Sequence, residues 1–290
     1  MVNEIIHHLQ EKRDGVILDC TIGSGGHSRE ILKTFNGECT LIGLDQDPEA
    51  IERSKVNLQA YKDSVILKQI NFALLDTVLD ELQITNIDAC IFDLGISLDQ
   101  LENAERGFSF RVNGPLDMRM DRRYDVLAYD IVNRYSKDEL CRIIGEYGEE
   151  RKARQIAAAI VAWREKSALA TTQELATIVE RVYRHRHYHR IHPATKTFQA
   201  LRIAVNRELE NIQVALATVL RYLAPAGLVC VISFHSLEDR IVKNTFRAWA
   251  KDGHVAVLTK KPLRASEEEV TRNKRSRSAK LRIAKRSLQE

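Results

Sequence analysis

Several absences narrow the reading before any motif does. The five cysteines, Cys20, Cys39, Cys90, Cys141 and Cys230, are scattered over 290 residues without a C-x-x-C spacing. An odd, dispersed set does not make a disulfide framework. The longest apolar run, Leu228 to Phe234, is far short of the roughly 20 residues a membrane helix needs. The opening MVNEIIHHLQEKRDG lacks the apolar core and small-residue cleavage site of a secretory signal. A reducing cytoplasm, with no membrane partner, is therefore expected. No segment repeats, which excludes a solenoid.

What is present is ordinary in bulk and uneven in charge. Hydrophobic residues make up 44% and charged residues 29%, as in a soluble globular chain of one or two domains. The net charge of +4 conceals a basic end: residues 260–290 carry eleven Lys/Arg against four Glu, leaving the rest slightly acidic. A basic end on a near-neutral body fits nucleic-acid binding, and equally a solvated tail.

The first hundred residues alternate β-branched runs with helical segments, the pattern of a parallel α/β sheet. Strands are expected at Val16–Leu18, Thr40–Leu44, Val65–Ile70 and Ala89–Asp93, with a helix opening after Pro48. From about Glu105 the strand signals stop. Capping boxes at Ser136-Lys-Asp-Glu139 and Thr171-Thr-Gln-Glu174, and helical periodicity over Glu149–Trp163, predict a helical insertion. The α/β rhythm then returns: one long helix over Thr197–Leu223 stopped by Pro225 and Gly227, a strand at Leu228–Phe234, a helix capped by Ser236, and strands near Val255–Thr259 and Lys280–Ala284. The expected division is 1–104, a helical insertion 105–191 that recognises RNA, and 192–290 with its basic segment.

The stretch Asp19-Cys-Thr-Ile-Gly-Ser-Gly-Gly-His-Ser28 places three glycines in four positions after the first strand. Strand, glycine turn, helix, and a second strand ending in Asp45 make a nucleotide-type cofactor site, with the acid placed for ribose hydroxyls. A P-loop would need Lys after the last glycine, where His27 stands. A dinucleotide fingerprint would need glycine at Ser28. The spacing from Asp19 resembles the D/E-x-G-x-G-x-G of class I S-adenosylmethionine-dependent methyltransferases, with Thr21 at the first glycine; a nicotinamide oxidoreductase is the rival in this chemistry.

Later stretches narrow the choice. Asp93-Leu-Gly-Ile-Ser-Leu-Asp-Gln-Leu101, Arg106-Gly-Phe-Ser-Phe110, Gly114-Pro-Leu-Asp-Met-Arg-Met-Asp121, Tyr147-Gly-Glu-Glu-Arg151, Phe198-Gln-Ala-Leu-Arg-Ile203, Phe234-His-Ser-Leu-Glu-Asp-Arg240 and Arg275-Ser-Arg-Ser-Ala-Lys280 follow in order. Together they resemble the ribosomal RNA small subunit methyltransferase H family over nearly the whole chain. The resemblance implies a class I, Rossmann-like doubly wound α/β fold with an inserted helical domain. It implies S-adenosyl-L-methionine as cofactor and N4-methylation of a cytosine in the decoding region of 16S rRNA, within the small ribosomal subunit. It places cofactor contacts at Gly25, Gly26, His27, Asp45, Phe72, Asp93 and Gln100. The chain departs from the family in starting at about its first helix, without the usual His-x-Pro-Val-Leu. It also has Leu98 for a serine, and Lys274-Arg275 in place of Pro-Arg.

Cytosine N4 is a weak nucleophile because its lone pair is delocalised into the ring, so an acceptor for its hydrogens and good positioning carry the chemistry. Asp93, with Ser97 nearby in sequence, is the expected catalytic pair. C5-methylation would need a cysteine nucleophile, but no Pro-Cys occurs and Cys20, Cys90 and Cys230 fall in or beside strands. FHSLED suggests a hydrolase but lacks the G-x-S-x-G elbow. His235, Arg275, Arg277 and Lys280 are the expected RNA contacts, and the Met118/Met120 pair is either pocket or packing. The histidine-rich stretch 184–192 interleaves arginines that repel a cation, so no metal is expected there and a phosphate-touching loop is. An RNA-binding module with a vestigial cofactor pocket remains the non-catalytic alternative, and a homodimer is a possible assembly.

Overall fold

A computed structural model describes residues 1–183 and 192–288; the rest of the histidine-rich stretch, 184–191, lies outside them. The chain forms two compact units, Met1–Gly95 with Leu209–Glu290, and Ile96–Glu208.

The first unit is built on an eight-stranded sheet: β1 Val16–Asp19, β2 Thr40–Asp45, β3 Val65–Gln69, β4 Ile87–Asp93, β5 Leu223–Ser233, β6 Val255–Val257, β7 Leu263–Arg264 and β8 Lys280–Arg286. The order is β3-β2-β1-β4-β5-β8-β6, with β7 pairing β8. The first five strands run parallel, and β8 is antiparallel to β5, β6 and β7. Alternating residues bury both faces, which is why these runs read as continuously apolar. Ile17, Leu41, Ile91 and Cys230 meet Ile5, Leu9 and Ile31 on one face. Leu18, Ile42, Phe92 and Val231 meet Leu79, Val219 and Phe246 on the other. Each such buried side chain contributes about 1.5–3 kcal/mol. This is the expected class I, doubly wound Rossmann-like fold. The order reverses about β1, so the carboxyl ends of β1 and β4 flank the switch point where such sheets hold ligands.

The second unit is helical. Its helices are Leu98–Glu102, Ala128–Arg134, Lys137–Glu146, Ala153–Arg164, Thr172–Val182 and Thr195–Asn206. Both expected capping boxes form, Ser136 with Glu139 and Thr171 with Glu174. The unit extends beyond the expected limits of 105 and 191, because Phe198, Leu201 and Val205 pack into the same core as Ile131, Ile144 and Ile156.

Three local expectations need correction. The long helix over Thr197–Leu223 is two helices, Thr195–Asn206 and Glu208–Tyr222, separated at Arg207, whose φ is +49°. Asn206 there turns its amide to distant backbone, accepting from Met120 N at 2.7 Å and donating to Met118 O at 2.7 Å. Arg202 and Glu208 bracket the break with paired 2.8 Å bonds. Pro225 and Gly227 lie inside β5, which starts at Leu223 and carries an irregularity of register against β4, a place where a strand tolerates proline. The cap of helix Ser236–Lys251 is His235, not Ser236: the His235 side chain accepts from Glu238 N, and Glu238 accepts from the amides of Phe234 and His235. Among the described residues, no helix is long and apolar enough to cross a membrane.

Candidate active site

The glycine loop is fastened at both ends by carboxylates. Asp19, 2% exposed, accepts from Thr21 N at 3.1 Å and from the Ser28 hydroxyl at 2.6 Å. The serine that breaks the dinucleotide fingerprint therefore ties the helix Gly26–Thr34 back to the end of β1. Asp45 accepts from Gly23 N at 3.0 Å and from Asp47 N at 2.9 Å. Asn57 donates to Ser24 O at 2.8 Å. Gly25 sits at φ +80° with Leu58 against it, where a Cβ would lie 3.1 Å from Leu58 Cγ, so only glycine fits without strain. A Cβ on Gly26 would meet nothing within 4 Å, which leaves its backbone open to a ligand.

Across the switch point, Asp93 ends β4. Its amide donates to the Thr21 hydroxyl at 2.6 Å, joining loop and strand. Its Oδ2 stands 3.5 Å from His27 Nδ1. The side chain keeps 31% of its accessible area, yet Oδ1 is buried and has no hydrogen-bond partner among the described residues. A buried carboxylate oxygen with nothing to accept costs about 1–3 kcal/mol, so it is a natural place for a ligand donor.

Burial dominates the electrostatics. It raises the pKa of Asp19 and of Asp93, and it raises Asp45 to about 6 against the hydrogen bonds of Asp47 N and Gly23 N. At Asp93 the nearby His27 opposes that rise, and Arg275 of the basic segment does so more weakly.

Phe72 follows β3 and meets Phe92 edge-on, with ring centres 5.7 Å apart. Gly25, Gly26, His27, Asp45, Phe72 and Asp93 thus all belong to the sheet unit, at the carboxyl ends of β1 to β4 or just after them. Ser97 and Gln100 belong to the helical unit, where they cap one helix reciprocally: Gln100 N donates to Ser97 Oγ and Ser97 N to Gln100 Oε1, both at 3.1 Å.

The expected RNA contacts separate by their partners. Arg277 is exposed, on the turn Lys274–Ser278. Lys280 donates to Asp239 at 3.0 Å, beside Arg282 at 2.7 Å, and so ties β8 to the helix Ser236–Lys251. His235 is occupied with its cap and has Nε2 3.1 Å from Glu238 Oε1. Met118 and Met120 are buried in the helical core, Met118 at φ +62°. Thr21, Ser28 and Asn57 were not singled out as functional by sequence reasoning, although the spacing of Asp19 to Ser28 marks the loop they hold.

The residues fit an adenosyl-type cofactor. Asp45 has lone pairs left for hydroxyl donors, the backbone at Gly26 is open, and Asp93 Oδ1 awaits a donor.

Residues 1–287 match a family described as the MraW methylase family. A protein of Persephonella marina, the "Ribosomal RNA small subunit methyltransferase H", is 47% identical over 98% of this chain and 96% of its own length. Its namesake in Halothermothrix orenii is 42% identical over 99% of this chain and 97% of its own. A solved structure of a putative rRNA-methylase from Clostridium thermocellum aligns over 98% of this chain and 96% of its own, with TM-score 0.49 and 11% identity.

Proposed function

The chain belongs to the MraW methylase family, and from that membership we propose that it methylates the exocyclic N4 of a cytosine in the decoding region of 16S rRNA, with the small ribosomal subunit as its substrate. The observation that carries the chemistry is Asp93, a carboxylate at the switch point with one buried oxygen that has no donor among the described residues.

S-adenosylmethionine supplies, when bound, a methyl group made electrophilic by its sulfonium. This chain's residues hold and orient. Ionised Asp45 accepts from ribose hydroxyls, the open backbone at Gly26, between Gly25 and His27, admits close approach, and Phe72 offers a ring already fixed against Phe92. Asp93 accepts a hydrogen from cytosine N4, which draws that nitrogen toward the geometry of attack. Because burial raises its pKa, Asp93 also takes a proton more readily than a solvated carboxylate. His27 faces its other oxygen and keeps it oriented. Gln100 enters this reading from the family resemblance alone, and Ser97 from its place close to Asp93 in the sequence, as a further acceptor for the N4 hydrogens. Arg275 and Arg277 are the tail's phosphate contacts; the Lys280 ammonium is paired with Asp239.

The test is to incubate the protein and methyl-labelled cofactor with unmodified small subunits and to identify the product nucleoside. N4-methylcytidine is expected, and Asp93→Asn is expected to lower turnover by about 100-fold, within the range of general-base contributions. 5-Methylcytidine or a ribose methyl would overturn the chemistry. Failure to bind S-adenosylhomocysteine in calorimetry would favour the RNA-binding alternative.

A further inference from the structure

The stretch Tyr147-Gly-Glu-Glu-Arg151 takes no part in the site above, yet its Glu150 and Arg151 line a cavity of about 360 Å³ within the helical unit, shared with Lys152, Tyr183, His192, Pro193 and Lys196. The backbone just before Glu150 is unusual. Glu149 adopts φ +47°, and Gly148 is pressed so close that a Cβ would lie 2.7 Å from Lys196 O and 2.6 Å from Ile144 O. A residue forced into left-handed backbone persists only where its surroundings hold it. Here Lys196 Nζ holds Glu149 O at 2.8 Å.

Glu150 organises the interior. Though only 6% exposed, it accepts from Lys152 N at 2.8 Å and from the Tyr183 hydroxyl at 2.7 Å. Lys152 in turn lies with Nζ 4.2 Å from the centre of the Tyr183 ring and donates to Val182 O at 3.2 Å. The partners of Lys152 and Lys196 are a ring and neutral carbonyls, so among the described residues no carboxylate neutralises either ammonium. Arg151 is exposed beside them, with no ion pair among the described residues. Three cations against one buried carboxylate give the cavity a net positive charge. Its walls also include an aromatic ring and a proline.

We propose that this cavity binds one unpaired nucleotide of the RNA substrate, with Arg151 and Lys196 on its phosphates and its base against Tyr183 and Pro193. The size agrees with a single nucleotide, and the pairing of cations with an aromatic surface is the usual means of holding single-stranded RNA. The inference rests on the reading of the chain as an RNA methyltransferase and adds a second point of contact, outside the methyl-transfer site.

The experiment uses the full chain and a fluorescein-labelled decamer of oligocytidylate, read by anisotropy over a series of salt concentrations. Arg151 is exposed, so Arg151→Glu is expected to fold as the wild type does, and Arg151→Ala/Lys196→Ala removes both phosphate partners. Each is expected to weaken binding at least tenfold. The double variant lowers the salt slope by about 1.4, at roughly 0.7 per phosphate on a single strand. Arg151→Lys restores most of the affinity. S-adenosylhomocysteine affinity stays at the wild-type value in all of them. Free cytidine 5′-monophosphate competing as well as the decamer, mole for mole, would show a site for free nucleotides and overturn the RNA assignment. Unchanged decamer affinity and slope, in a wild-type enzyme that methylates small subunits, would overturn the cavity proposal alone. A wild type that methylates no RNA would overturn the underlying reading instead.

Discussion

The amide of Asp93 donates to the hydroxyl of Thr21 at 2.6 Å, and this bond joins the glycine loop after β1 to the carboxyl end of β4. Thr21 occupies the first glycine position of the methyltransferase spacing. Its side chain does there what a glycine cannot, locking the two halves of the ligand crevice in register. Thr21→Val keeps the shape and removes the acceptor, leaving a part-buried N–H without its partner at a cost of about 1–3 kcal/mol. The expected result is a lower Tm and S-adenosylhomocysteine binding weakened about tenfold, both recovered in Thr21→Ser. Calorimetry with the three proteins decides it; an unchanged affinity in Thr21→Val would show the bond to be dispensable to the crevice.

Two of the tail's basic residues are struts, and Arg277 is exposed. Arg282 is 5% exposed and, with Lys280, holds Asp239. Burial works against the charged form of Asp239, but the hydrogen bonds from Arg282 and Lys280 outweigh it and bring its pKa below the ordinary value. Asp239→Ala strands a buried guanidinium, a change that typically costs about 3–5 kcal/mol. Thermal unfolding should therefore shift by many degrees in Asp239→Ala and hardly at all in Arg277→Ala. RNA binding should show the reverse order. Equal effects of the two substitutions on Tm would sink the distinction.

How much of this was legible follows from how far each signal travels along the chain. The glycine loop, Asp45 and Asp93 are set by local punctuation, strand then turn then acid, and the structure puts them at one end of one sheet. The two capping boxes are equally local. Phe72 and Gln100 carry no local mark, and only the family resemblance singled them out. The break at Arg207 was illegible because its cause, the Asn206 side chain, finds its backbone partners 86 and 88 positions away. The cap at His235 was misplaced by one residue because Ser is the commoner cap, while here Glu238 reaches back to the amides of Phe234 and His235, which sets the box one residue earlier than a Ser236 cap would. Asp239, which looked like the box acid, is spent on Arg282 and Lys280 of β8, more than 40 residues on.

The same Asn206 gives a prediction for the helical unit. Its amide makes three bonds, to Met120 N, Met118 O and Arg202 O, while it is 1% exposed. It therefore supports Met118, whose φ of +62° is a conformation that a long side chain rarely adopts. Asn206→Ala leaves a buried N–H and a buried C=O unpaired, at a cost of about 2–4 kcal/mol. Asn206→Asp keeps the acceptor for Met120 N and loses the donor to Met118 O, so its loss should be intermediate if the charge is accommodated. Denaturant unfolding of the three proteins, with hydrogen exchange at Met118 and Met120, is the measurement. Full protection of both amides in Asn206→Ala would refute the clamp.

Asp45 makes the site sensitive to pH in a definite direction. Burial raises its pKa from the ordinary 3.8 to about 6. A carboxyl with a raised pKa in the folded state binds its proton more tightly there than in the unfolded chain. The stability it confers is therefore present below about pH 4 and is lost as pH climbs through about 6. Cofactor binding runs the other way, since ribose hydroxyls donate to the ionised form. S-adenosylhomocysteine affinity should rise between pH 5 and pH 7 by about tenfold, at most the limit of one unit of pH per proton released. Asp45→Asn should flatten that rise and bind weakly at every pH. The flattening separates this role from a purely structural one, which would lower affinity without changing its slope. A wild-type affinity independent of pH over this interval would mean that Asp45 does not titrate on binding, and the ribose contact would have to be assigned elsewhere.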